Sequence, residues 1–304
     1  MALIIGHRGA KALAPENTLE AISAAAKCRA DRVEVDVRLS KDGTLVLMHD
    51  DTVDRMSNGS GNVGDLTLDD LKSLSIDGHQ VPTLKEAVSL AMDLGLEMVV
   101  EMKEEWIEEL VAEELKGTDA IVTSFYHSSI REIKEISNLK TGIIISSLPL
   151  HPVDLAVWAG ADAIFPKRTN PRLFQEAHRH KLNVFPWTIN SIEEASWLLK
   201  LGADGLVTDD PCLMRRIADQ PVKETTSGNC EFYPCHHFQD QDCTHCFCPL
   251  YPCKDGELGR FVKTKRGKRV WTCIDCQLVH RPLVARYLLE HPDASISELK
   301  ALDI

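Results

Sequence analysis

The chain predicts an α/β fold, a (β/α)8 or TIM barrel followed by a small cysteine-rich domain, on three observations. Strand-like apolar runs alternate with helical patterns over residues 1–222, which is the pattern of a closed parallel sheet wrapped in helices. Histidines and carboxylates fall at the ends of those runs, where barrels carry their chemistry. Eight of the ten cysteines crowd between Cys230 and Cys276, after the alternation has ended.

Apolar runs occur at 3–6, 33–37, 44–48, 97–101, 120–124, 142–146, 162–165, 183–187 and 205–208, nine candidates for eight barrel strands. The surplus is resolved by loop length. Only SKDG separates VRL from TLVLM, and a parallel crossover needs roughly a dozen residues or more, so 44–48 is expected to fold back antiparallel. The helical patterns lie near 17–28, 83–94, 105–115, 128–137, 153–159, 171–180, 191–201 and 211–218. Asn17, Thr83 with Glu86, and Ser191 with Glu194 mark helix starts, and Gly202 closes the last but one. The stretch 50–80 is too long for a plain loop and is expected to form an insertion over the barrel mouth. KETTSGN at 223–229 reads as a linker, leaving a barrel over 1–222 and a second domain over 228–304.

Composition narrows the partners. With 44% hydrophobic residues the chain can bury a sizeable core. Residues 1–222 carry 23 Lys+Arg against 35 Asp+Glu, whereas 223–304 carry 11 of each. An acidic barrel repels nucleic acid and anionic membranes at long range, which leaves small, locally steered substrates. No apolar run reaches the ~18 residues of a membrane span, and MALII is too short for a signal peptide. A cytoplasmic protein without membrane insertion is expected, and nothing in the pattern sets an oligomeric state. In that setting Cys28 and Cys212, each beside a helix, are expected to be small buried apolar residues.

HRGAKALAPENT from His7, VEVDVRLSKDGTLVLMHDDTVDR from Val33 and VVEMK from Val99 supply two histidines and three carboxylates at strand ends. Val33, Val35 and Val37 alternate with Glu34 and Asp36, so the two carboxylates share one face of a strand. Hard oxygen ligands so spaced suit Mg2+ or Ca2+. His7 and His49 are natural proton-transfer groups, because imidazole titrates near neutral pH. Each residue alone has a plainer reading as a structural histidine or an ion-paired acid, the partners being Arg8 and Lys103.

Their order is what gives the residues meaning. From His7 to Pro211 the chain resembles the glycerophosphodiester phosphodiesterase family through HRG, PENT, EVDV, HDDTVDR, EMK, PWTIN and GADGLVTDDP, in sequence. The resemblance implies that Glu34, Asp36 and Glu101 bind one divalent cation, that His7 and His49 act as acid and base in an order left open, and that Arg8 and Lys103 hold phosphate oxygens. It also implies a small glycerophosphodiester substrate cleaved through a cyclic phosphate to glycerol phosphate and an alcohol, while the residues by themselves leave direct attack by water open. Trp187 and Phe125 can line a glycerol pocket or simply pack the mouth. Glu16 and Asn17 can brace the loop and cap a helix as readily as join the chemistry. His127, His151, His178 and His180 stand outside any motif. Two rival functions are a phosphodiesterase acting on lysophospholipids or another phosphodiester, and a metal-binding adaptor with a vestigial barrel.

In the tail, Cys243, Cys246, Cys273 and Cys276 form paired Cys-x-x-Cys knuckles. Cys230, Cys235, Cys248 and Cys253 form a second set from two Cys-x-x-Tyr-Pro-Cys elements. His236, His237 and His245 can replace a thiolate. The segment resembles small cysteine-rich domains found alone or fused to enzymes. Zn2+ is the expected metal, with an iron-sulfur cluster as the rival, since a redox centre has no evident part in phosphodiester hydrolysis. VKTKRGKR at 262–269 reads as a solvated hairpin tip in preference to a nucleic-acid contact.

Overall fold

A computed structural model gives the fold and describes residues 2–218, 248, 250, 253–263, 269–272, 276–291 and 294–302. The chain divides into two compact units, Met1–Gln220 and Pro221–Ile304.

The first unit opens with β1 (Leu3–Gly6), α1 (Leu19–Lys27), β2 (Arg32–Leu39) and β3 (Leu45–Leu47). It continues through α2 (Leu68–Ser73), α3 (Leu84–Asp93), β4 (Glu97–Met102), α4 (Glu108–Glu114), β5 (Ile121–Ser124) and α5 (His127–Ile136). The last units are β6 (Lys140–Ile145), α6 (Pro152–Trp158), β7 (Ala163–Pro166), α7 (Pro171–Arg179), β8 (Asn183–Val184), α8 (Ile192–Lys200), β9 (Gly205–Thr208) and α9 (Pro211–Ala218). Eight strands run parallel in the order β8-β7-β6-β5-β4-β2-β1-β9, and β3 pairs antiparallel with β2 as its short turn requires. The barrel is nearly closed. β8 is shorter than the expected 183–187 because Pro186 has no N–H to give a ladder. Scattered bonds from Asp204 N to Val184 O and Val207 N to Pro186 O still tie that edge to β9.

Strand alternation sorts the core into two shells. Val33, Val35 and Val37 face the helices, while Ile5, Val99, Ile121, Ile144, Phe165, Phe185 and Val207 fill the barrel interior. Gly142 is required in that interior, since a Cβ there would sit 2.5 Å from the Phe165 ring. The segment 50–80 builds its own small core from Val53, Val63, Leu71 and Ile76 against Val46 and Met48.

Local signals held with one shift. Thr83 with Glu86 forms a full capping box, and Ser191 accepts from Glu194 N. The cap of α1 is Thr18, not Asn17; Asn17 adopts φ +56° and turns its amide to the barrel interior. Cys28 and Cys212 correct the expectation of two inert apolar residues, because they form a disulfide. Closure of the barrel is the cause: β1 pairs with β9, which sets the end of α1 beside the start of α9 and brings the two Cα atoms to 4.5 Å. Arg215 of α9 reinforces that seam by donating to Arg29 O and Asp31.

In the second unit β10 (Arg260–Lys263) and β11 (Arg269–Thr272) form a hairpin, followed by α10 (Pro282–Glu290) and α11 (Ile296–Ala301). Leu278, Val279, Val284, Leu288 and Leu299 make a small core, with Cys248 and Cys276 packed against it. Cys230, Cys235, Cys243, Cys246, Cys273, His236, His237 and His245 lie outside the described residues. Burial pushes the Cys276 thiol up, and neighbouring Cys253 adds to it. That neighbourhood joins members of the two expected sets, because an antiparallel hairpin brings its flanking segments together.

Candidate active site

The C-terminal mouth of the barrel holds a cavity of about 150 Å³ lined by charged groups on one side and by Val99, Ile144, Phe165, Trp187 and Val207 on the other. A larger hollow of about 280 Å³ lies around Met92, Leu96 and Ala120 at the opposite strand ends and gathers no comparable cluster of titratable groups. The smaller cavity brings together His7, Arg8, Glu34, His49, Glu101, Lys103, Phe125 and Trp187.

β2 and β4 aim the carboxylates. Asp36 pairs with Glu101 in register and Glu34 lies two residues earlier on the same face, so the three share one pole of the sheet. One oxygen from each lies within 4.8 Å of the others, a spacing that one cation can span. Asp36 is held by Asn17 Nδ2 at 2.8 Å, by Arg8 Nε at 3.2 Å and by Lys103 Nζ at 3.4 Å. Glu101 receives Lys103 Nζ at 2.6 Å. Glu34 Oε2 accepts from Arg8 N at 2.8 Å, whereas its Oε1 is buried without a hydrogen-bond partner. The ion pairs of the plainer reading are therefore real, yet they leave one buried carboxylate oxygen unsatisfied.

Electrostatics agree with that imbalance. Burial, reinforced by Asp36 and Glu101, pushes the Glu34 carboxyl well above the ordinary range. Burial and Asp36 push Glu101 up to about 7 against the pull of Lys103. For Asp36 burial also opposes ionisation, but Lys103 and Arg8 outweigh it and hold the carboxyl low. Three acids at this separation with two cations at hand are short of positive charge. A divalent cation fits the donor set and would supply it.

The two histidines enter from β1 and from the segment after β3. Arg8 at φ +50° and Gly9 at φ +87° form the turn that presents His7, and a Cβ on Gly9 would meet Ala21 at 2.4 Å. His7 Nδ1 donates to Asp209 Oδ1 at 2.6 Å, and Asp209 Oδ2 accepts from Asn190 at 2.8 Å. His49 Nδ1 donates to Asp50 Oδ1 at 2.6 Å, and Asp50 Oδ2 accepts from Arg55 Nε at 2.5 Å. A carboxylate only accepts, so each pair fixes the proton on Nδ1 and leaves Nε2 for a substrate. Burial, with Lys103 and Arg8, pulls the His49 ring below the usual imidazole value despite Asp36 and Asp50.

Sequence reasoning missed Asp209, Asn190, Asp50 and Arg55. The available signal was chemical: a histidine that moves protons needs an acceptor on its second nitrogen, and both aspartates lie inside motifs already noted. Glu16 braces instead of capping, since it is buried and binds Arg8 NH1 at 2.8 Å and Arg55 NH2 at 2.6 Å. Phe125 and Trp187 meet edge-on at 5.9 Å, and Trp187 Nε1 donates to Phe165 O. His127 and His178 make structural bonds to Ile144 O and Asp204.

A TIM barrel that gathers three carboxylates, Arg8, Lys103 and two histidines at its C-terminal mouth suits a phosphodiesterase. The match to known proteins is specific: the model of the glycerophosphoryl diester phosphodiesterase family covers residues 7–213, and that of a cysteine-rich small domain covers 222–303. The chain belongs to the glycerophosphoryl diester phosphodiesterase family and is a phosphoric diester hydrolase by that membership. A glycerophosphodiester phosphodiesterase of Caldanaerobacter subterraneus is 35% identical over 229 residues, covering 69% of this chain and 94% of that protein. The tail is similar to an uncharacterised protein of Methanocaldococcus jannaschii, 48% identical over 81 residues, which span 25% of this chain and 67% of that one. Among solved structures, an Oleispira antarctica phosphodiesterase in complex with the product sn-glycerol-3-phosphate superposes with TM-score 0.68 at 25% identity, over 72% of this chain and 98% of that one.

Proposed function

We propose that the chain hydrolyses glycerophosphodiesters to glycerol phosphate and an alcohol, with one divalent cation, Mg2+ or Ca2+, held by Glu34, Asp36 and Glu101. The observation that carries this reading is the unsatisfied Glu34 Oε1 inside a carboxylate triad that also lines the cavity with both histidines. When bound, the cation supplies positive charge that neutralises phosphate and favours ionisation of a nearby hydroxyl. Arg8 and Lys103 present N–H donors to phosphate oxygens and stabilise the charge that develops on them. His7 and His49 exchange protons through Nε2, one taking a proton from the attacking oxygen and the other giving one to the leaving alcohol. Phe125, Trp187 and Phe165 provide an apolar wall that excludes water and against which the carbons of glycerol can rest.

The charged lining beside a short apolar wall suits a compact glycerol phosphate, with lysophospholipids as the alternative substrate class. A vestigial barrel has no need of two histidines each bonded to its own aspartate. The barrel and tail are assigned as domains over 1–222 and 228–304, with Zn2+ as the tail's metal. The acidic surface argues against nucleic acid as a partner.

His7→Ala and His49→Ala test the proton-transfer roles. Each should abolish release of glycerol phosphate from glycerophosphocholine while leaving the melting temperature within a few degrees, because these groups line a mouth and do not fill a core. Phosphorus NMR should show a cyclic phosphate accumulating in one of the two variants. Turnover retained in both would sink the assignment.

A further inference from the structure

We propose that Arg55 is a positioning residue that holds the His49 ring and the Arg8 guanidinium in one arrangement, although it lies outside the cavity that both of them line. This role rests on the reading of His49 as a proton-transfer group and of Arg8 as an anion ligand.

Arg55 belongs to the segment inserted between β3 and α3. Its Nε donates to Asp50 Oδ2 at 2.5 Å and its NH2 to Glu16 Oε1 at 2.6 Å. The other oxygen of Asp50 takes His49 Nδ1 at 2.6 Å, and Glu16 Oε1 also accepts from Arg8 NH1 at 2.8 Å. A continuous relay thus runs His49, Asp50, Arg55, Glu16 and Arg8, and Arg8 also forms an ion pair with Asp36, Nε to Oδ2 at 3.2 Å. Both carboxylates are held ionised: the Arg55 hydrogen bond draws Asp50 low, and for Glu16 the two arginines outweigh its burial.

The guanidinium shape is what the geometry uses. Two N–H groups diverge from one rigid plane to two separate carboxylates, which a single ammonium cannot reproduce. Folding has little stake in the contact. Arg55 itself is 47% exposed, and its loss does not leave the buried Glu16 carboxylate unpaired. Without Arg55, Glu16 retains Arg8 and Lys11, and Asp50 retains His49. What disappears is the link that fixes the proton-transfer ring relative to the phosphate clamp, and such misplacement is costly to a reaction that depends on alignment.

The test uses full-length protein loaded with Mg2+, glycerophosphocholine as substrate, and the variants Arg55→Met and Arg55→Lys. Both should melt within a few degrees of the wild type. Both should lower kcat and raise KM together, with kcat/KM down about tenfold or more. Methylguanidinium should restore part of the Arg55→Met activity and leave the wild type unaffected. The His49 Nδ1–H proton resonance, assigned by its loss in His49→Ala, should shift in Arg55→Met whether or not turnover is measured. Unchanged kinetics with an unchanged resonance would overturn the role, and so would activity lost together with a large fall in melting temperature and no rescue. A wild type inert on every diester would defeat the proposed function, while the resonance would still decide the role of Arg55.

Discussion

At the scale of single residues, the decisive feature is the shortage of positive charge around Glu34, Asp36 and Glu101. Burial and Asp36 raise the Glu101 carboxyl to about 7, well above an unfolded glutamic acid. A carboxyl so raised contributes stability that is complete below its unfolded pKa and is lost as pH climbs through about 7. A bound cation removes that penalty, so added Mg2+ or Ca2+ should raise the melting temperature more at pH 8 than at pH 5. Thermal melts with and without metal check this, and equal increments would contradict it. Replacing Glu34 with Gln should preserve the fold and cost orders of magnitude in turnover. The candidate site was legible because its residue types are restricted by chemistry: Glu34, Asp36 and Glu101 as candidate hard ligands, His7 and His49 as candidate proton carriers. Asp209 and Arg55 were not, because their value lies in which atom they face across long sequence separations.

At the scale of elements, most strands and helices could be read from periodicity and caps, the antiparallel β3 included. Two failures have physical causes. Pro186 stripped donors from an apolar run and shortened β8, which composition alone does not weigh. The Cys28–Cys212 disulfide joins residues 184 apart in sequence that meet only because β1 pairs with β9, and no local pattern carries that information. Cross-linking the first and last β/α units should restrict the unfolded chain, so Cys28→Ser with Cys212→Ser is expected to lower stability by about 2–4 kcal/mol while kcat persists. Urea unfolding under oxidising and reducing conditions measures it. Coincident midpoints for variant and wild type would show that the bond contributes nothing.

At the scale of the whole molecule, the two units make different demands. Among the described residues no helix is long and apolar enough to cross a membrane. The expectation of a cytoplasmic protein meets a disulfide that favours oxidising surroundings, whereas thiolate-rich metal sites favour reducing ones. The barrel has a large core of its own, while the described part of the tail gathers only a small cluster around Leu278, Val284 and Leu299. The tail should therefore depend on metal for its fold, with about two zinc ions per chain. Elemental analysis of anaerobically purified protein checks this; iron with inorganic sulfide would replace zinc by a cluster, and a tail that keeps its structure after complete metal removal would remove the need for either. The central claim concerns the barrel, and its most direct test is release of glycerol phosphate from glycerophosphocholine before exhaustive chelation, after it, and after restoring Mg2+ or Ca2+. Activity that vanishes on chelation and returns with the cation in wild type, but not in Glu34→Gln, is the predicted result; full activity in the chelated enzyme would contradict it.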